Sequence, residues 1–104
     1  MKPVNVGVLG LGTVGGGTVN VLKRNAAEIA RRAGRQIVIT RASAKDLSKK
    51  RICDTHGIML ITDPMDIIND PSIDIVVELV GGTGFVKELI LQAIENGKHV
   101  VTAN

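Results

Sequence analysis

A chain of 104 residues with 44% hydrophobic and 22% charged side chains can bury one modest core and is too short for two domains. Its apolar runs fall far short of the ~20 residues of a membrane-spanning helix, and Val4–Leu9 is too short for a secretion-signal core, so a cytoplasmic setting is expected and a membrane partner is not. A net charge of +3 with Phe85 as the sole aromatic argues against nucleic acid, the lone Cys53 excludes an internal disulfide, and no Cys/His cluster has zinc-ligand spacing.

Val4-Asn5-Val6-Gly7-Val8-Leu9 is a β-branched apolar run, as expected of a strand buried on both faces. After a glycine-rich turn, Val14, Thr18, Val21, Leu22, Ala26, Ile29 and Ala33 recur at helical steps, predicting one helix from Thr13 to Ala33 with Gly34 as its stop. Ile37–Thr40 reads as a second strand, followed by a basic, aperiodic loop as far as Gly57. Met59–Thr62 is a short third strand, and Asp63-Pro64 pairs an N-cap with proline at the first helical position, opening a helix that Asn69-Asp70-Pro71 ends. Ile73–Val80 is a fourth strand, Gly81-Gly82-Thr83-Gly84 a second glycine-rich turn, and Val86, Leu89, Ile90, Ala93 and Ile94 mark a helix closed by Asn96-Gly97. Lys98–Thr102 is a fifth strand. Strands alternating with helices predict an α/β fold: a doubly wound, Rossmann-like parallel sheet of about five strands in the order 3-2-1-4-5.

The spacing Gly10, Gly12, Gly15 is G-x-G-x-x-G, here between a strand and a helix, the context in which that pattern cradles a pyrophosphate. Gly10 permits the bend, Gly12 lets backbone approach the phosphates, and Gly15 brings helix and strand together. Amides near Gly12, Thr13 and Val14 then face the anion from the positive end of the helix. The end of the second strand selects the cofactor: an acidic residue there holds a ribose 2′-hydroxyl, and a basic one accommodates a 2′-phosphate. No Asp or Glu occurs between Glu28 and Asp46, whereas Arg41, Ser43 and Lys45 follow the strand, with Lys49, Lys50 and Arg51 further on. NADP is therefore preferred over NAD. Gly81 and Gly82 leave room for a nicotinamide ribose opposite the first turn, and Thr102 and Asn104 offer a hydroxyl and an amide beside it. Glu78, in the fourth strand, is expected to hydrogen-bond a nearby helix terminus, with orienting a ligand as the alternative, and His56 and His99 read as solvated or core-edge histidines. No catalytic set or metal site emerges.

Three stretches together, Val6-Gly7-Val8-Leu9-Gly10-Leu11-Gly12-Thr13-Val14-Gly15-Gly16-Gly17, Val76-Val77-Glu78-Leu79-Val80-Gly81-Gly82 and Asn96-Gly97-Lys98-His99-Val100-Val101-Thr102-Ala103-Asn104, closely resemble the nucleotide-binding domain of homoserine dehydrogenases. The resemblance implies NAD(P)-dependent interconversion of L-homoserine and aspartate 4-semialdehyde, on the route to threonine and methionine. It implies that the first glycine turn with Thr13 and Val14 holds the pyrophosphate, that Arg41 matches a basic position associated with NADP, and that Gly81-Gly82 and Thr102–Asn104 border the nicotinamide. The family usually has a catalytic lysine directly after T-A-N, one residue past Asn104, and Thr83-Gly84-Phe85 departs from the family's proline-containing turn. The expectation is an NAD(P)-binding domain over residues 1–104, inactive alone, whose parent carries a separate C-terminal substrate domain and assembles as a homo-oligomer. Another nicotinamide-dependent dehydrogenase, of the aspartate dehydrogenase or sugar oxidoreductase type, and a non-catalytic nucleotide sensor stay open as alternatives.

Overall fold

The computed structural model describes residues 2–11, 13–45, 56–80 and 84–102. In chain order these form β1 (Val4–Leu9), α1 (Thr13–Arg24), α2 (Ala26–Ala33), β2 (Ile37–Ser43), β3 (Met59–Ile61), α3 (Pro64–Ile68), β4 (Ile75–Glu78), α4 (Gly84–Glu95) and β5 (His99–Thr102). The strands make one sheet of order β3-β2-β1-β4-β5 in which every neighbouring pair is parallel. The order reverses between β1 and β4, as the alternating sequence pattern predicts for a doubly wound sheet.

Each face of the sheet has its own core. Val6, Val8, Ile39 and Ala42 pack with Leu11, Val19 and Ile58 on the α1 side, whereas Leu9 and Val76 pack with Ile67, Ile68, Ile73, Leu89 and Ala93 on the side of α3 and α4. The division follows from the strand period, which sends successive side chains to opposite faces. One irregularity adjusts it: Val6 pairs with Ile39, but Gly7 pairs with Arg41. The extra residue, Thr40, allows Ile39 and Ala42 to serve the same core although they are three positions apart. Gly7 faces α3, and a Cβ there would lie 2.4 Å from Ile67 Cγ2 and 3.4 Å from Ile73 Cγ2. Its missing side chain is what lets α3 seat directly on β1.

Several elements differ from the sequence expectation. The helix expected to run from Thr13 to Ala33 divides at Asn25, where φ is −106° and ψ is 16°. Asn25 Nδ2 donates to the Val21 carbonyl at 2.9 Å, so the side chain competes for an acceptor that the backbone ladder also uses. Backbone bonds from Asn25 N–H to Val21 at 3.1 Å and from Ile29 N–H to Asn25 at 3.0 Å still join the two segments. β2 continues past Thr40 to Ser43 because β1 and β3 both supply partners for Arg41, Ala42 and Ser43. β4 is shorter than its apolar run, since Ile73 N–H is taken by the Asp70 carbonyl in the preceding turn at 3.1 Å. Asp63 caps α3 as expected, its Oδ1 accepting from Met65 N–H at 2.9 Å with Pro64 behind it.

Candidate cofactor site

The crevice of a doubly wound sheet opens beyond the carboxyl ends of the strands that flank the reversal, here β1 and β4. Leu9 and Glu78 are register partners there, and Leu79 N–H donates to the Leu9 carbonyl at 3.0 Å. Gly10 then leaves the sheet with φ at 97°, a backbone state that L side chains avoid. A Cβ on Gly10 would stand 2.8 Å from Val80 Cγ2 and 3.3 Å from Val80 N, so Val80 already fills the space beside the turn. From the other side, Ser43 accepts Gly10 N–H on its carbonyl at 3.1 Å and on its Oγ at 3.2 Å, and Leu11 N–H on the same carbonyl at 3.1 Å. α1 starts at Thr13, and the first-turn amides of an α-helix have no acceptor inside the helix. A turn pinned from both sides and feeding a helix N-terminus fits the pyrophosphate of a dinucleotide, with Thr13, Val14 and Gly15 heading the helix.

The end of β2 sorts the three residues expected at an adenosine 2′-phosphate. Lys45 is exposed, two residues past the strand. Ser43 is 5% exposed and committed to the glycine turn. Arg41 departs from expectation: it lies within β2, in register with Gly7 on the α3 face, and its Nε stands 3.5 Å from Asp70 Oδ2 while Nη1 donates to the Thr40 carbonyl at 3.1 Å. Asp70 lies in the turn between α3 and β4, at the end of the sheet away from Gly10. Pairing of β2 with both neighbours extends the strand through Arg41, and strand alternation then aims its side chain at α3 instead of at the crevice edge. Asp70 Oδ1 accepts from Ser72 N–H at 2.8 Å and from Ser72 Oγ at 2.7 Å. These bonds, with the charges of Arg41 and Lys98, hold the Asp70 carboxyl below the usual carboxylate range. Lys98 closes the same corner, its Nζ donating to the carbonyls of Asp70 at 2.6 Å and Ile73 at 2.8 Å.

The model of the homoserine dehydrogenase NAD-binding domain matches residues 10–104. The chain belongs to that family. Homoserine dehydrogenase of Methylobacillus glycogenes is 60% identical over 104 residues, a match that covers 100% of this chain and 25% of the relative. The Pseudomonas aeruginosa homoserine dehydrogenase is 59% identical, again over 100% of this chain and 24% of its own. The crystal structure of a homoserine dehydrogenase from Thiobacillus denitrificans superposes with a TM-score of 0.88 at 57% identity, covering 99% of this chain and 24% of that one. The S. aureus homoserine dehydrogenase crystal structure gives a TM-score of 0.91 at 40% identity over 100% of this chain and 26% of its own. This chain thus spans about a quarter of the length of these relatives.

As a homoserine dehydrogenase NAD-binding domain, the chain takes a nicotinamide dinucleotide. Of the remaining expected residues, Thr102 ends β5 as the register partner of Glu78, which puts both at the carboxyl edge of the sheet. Glu78 is 1% exposed, a buried carboxylate beside the crevice. Gly12, Gly81, Gly82 and Asn104, like Cys53, Lys49, Lys50 and Arg51, lie outside the described residues. His56 and His99 are exposed, and the His56 carbonyl accepts Lys23 Nζ at 2.9 Å. Among the described residues no group of His, Cys, Asp and Glu could hold a metal, and no helix is long and apolar enough to cross a membrane. Sequence reasoning missed Val80 and the turn-holding part of Ser43, because a linear pattern does not say which strand ends meet. The one available signal was a small hydroxyl residue shortly after a strand that neighbours the first turn.

Proposed function

We propose that this chain is the dinucleotide-binding domain, over residues 1–104, of an enzyme that interconverts L-homoserine and aspartate 4-semialdehyde with NADP as its preferred cofactor. The observation that carries the reading is the pinned, positive-φ turn at Gly10 opening onto α1, in a chain 60% identical to a homoserine dehydrogenase. Gly10, Gly12 and Gly15 shape the pyrophosphate turn, and the amides of Gly12, Thr13 and Val14 hold its charge. Gly81, Gly82, Thr102 and Asn104 are the residues this reading assigns to the nicotinamide ribose. When bound, the nicotinamide supplies or accepts a hydride. The chain's own part is to fix the cofactor's position and to neutralise its phosphates. The polypeptide that makes the relatives about four times longer supplies the substrate-binding and proton-transfer groups.

Preference for NADP rests on Lys45, an exposed cation at the end of a strand that offers no carboxylate to a 2′-hydroxyl. Arg41 would join it only after giving up Asp70. Calorimetric titration should show NADPH binding roughly 1.5- to fivefold more tightly than NADH, the range expected of a solvated ionic contact. Lys45→Ala should bring the two to parity, and equal binding by the unsubstituted chain would refute the preference. The activity is tested on the polypeptide joining this chain to the remaining length seen in its relatives. Homoserine-dependent reduction of NADP should be observed, and its absence would overturn the assignment.

A further inference from the structure

We propose that Ser43 is the positioning residue of the glycine turn: it sets where the phosphate-facing amides stand and makes no contact with the cofactor itself. The proposal rests on the reading that a dinucleotide binds at that turn. Sequence alone groups Ser43 with the 2′-phosphate residues because it lies between Arg41 and Lys45. Its burial argues otherwise, since a residue 5% exposed offers little surface to a ligand. Its Oγ is turned to the glycine turn, accepting Gly10 N–H at 3.2 Å beside the 3.1 Å bond from the same N–H to the Ser43 carbonyl.

The consequence is a division of labour among the turn's amides. Gly10 and Leu11 N–H both point back into the end of β2, where Ser43 receives them. They are lost to the phosphates, so the anion is met further on, by the amides that open α1 at Thr13. Any residue at position 43 would present the carbonyl. The Ser43 hydroxyl adds a second acceptor, which holds Gly10 against β2 while Val80 closes the opposite side. Because the hydroxyl acts on the turn and not on the adenosine, its loss must affect NADPH and NADH alike. A residue touching the 2′-phosphate would affect NADPH alone.

The test compares Ser43→Ala and Ser43→Thr with the unsubstituted chain, using calorimetry with NADPH and with NADH and the ¹H–¹⁵N spectrum of the Gly10 amide. Ser43→Ala should weaken both dinucleotides by one common factor of roughly two- to tenfold, as expected for one lost hydrogen bond. It should also shift the Gly10 amide and speed its hydrogen exchange, and Ser43→Thr, which keeps the Oγ, should restore both readouts. Two results overturn the role: loss of NADPH affinity with NADH unchanged, or unchanged binding of both by Ser43→Ala. Failure of the unsubstituted chain to bind either dinucleotide would instead overturn the cofactor reading, and the role with it.

Discussion

Gly7→Ala tests the packing that carries the whole layer of α3. The added Cβ would stand 2.4 Å from Ile67 Cγ2, about an ångström inside ordinary carbon contact, and Ile67 is fully buried in the core it shares with Ile68, Ile73 and Leu89. Overpacking of this kind costs about 1–3 kcal/mol. In a domain of this size each kcal/mol moves the melting temperature by roughly 4–8 °C, so thermal unfolding should show a drop of about 5–20 °C. A second substitution makes the cause identifiable. Leucine has no methyl branch at Cβ, so Ile67→Leu removes the atom the new Cβ strikes at nearly constant volume and should cost less than ~1.5 kcal/mol alone. The Gly7→Ala/Ile67→Leu chain should then be more stable than the sum of the single changes predicts, by roughly 0.5–3 kcal/mol of coupling. Strict additivity, or a Gly7→Ala melting temperature equal to that of the parent, would refute the close approach of α3 to β1.

Gly10→Ala places a side chain at a φ of 97° and should cost about 1–2 kcal/mol of stability. It should also weaken NADPH and NADH together, and retention of both affinities in calorimetry would exclude Gly10 from the pyrophosphate turn. Asp70 makes a pH-dependent contribution whose sign follows from its depressed carboxyl. The ionised form is favoured by Ser72, then by Arg41 and Lys98, so the stabilisation is present above the ordinary carboxylate pKa of about 4 and is lost as pH falls through the lower folded value. Denaturant unfolding should accordingly show Asp70→Asn less stable than the parent at neutral pH, with the gap closing below about pH 4. A gap that is constant with pH would refute the depression of the Asp70 carboxyl by Ser72, Arg41 and Lys98.

The strand–turn–helix context of Gly10 was legible in the sequence because it is local. A β-branched run, a glycine spacing and an apolar stripe at helical steps each declare themselves within a few residues of one chain segment, and alternation of the segments is enough to predict a parallel, doubly wound sheet in the order found. The cap at Asp63 was legible for the same reason, since its partner is Met65. Asn25 shows where such reading fails even locally, because its amide could as easily have faced water as the Val21 carbonyl.

Other properties depend on which distant segments come together. Arg41 reads as a cation beside a cofactor until β2 extends by pairing with β1 and β3, which turns the guanidinium to Asp70 across the sheet. Ser43 reads as a phosphate ligand until the register of β2 on β1 brings it against Gly10, 33 positions away. Gly7 is only one residue of an apolar run until α3 arrives over it. By itself the sequence determined the class of fold, the glycine turn after β1 and the family, all of which rest on near-neighbour patterns. Only the tertiary structure decided which basic residue past the strand end is exposed, which hydroxyl meets the turn, and which glycine makes room for a helix. Those answers depend on strand register and face, where moving one residue along the strand reverses the direction of every side chain.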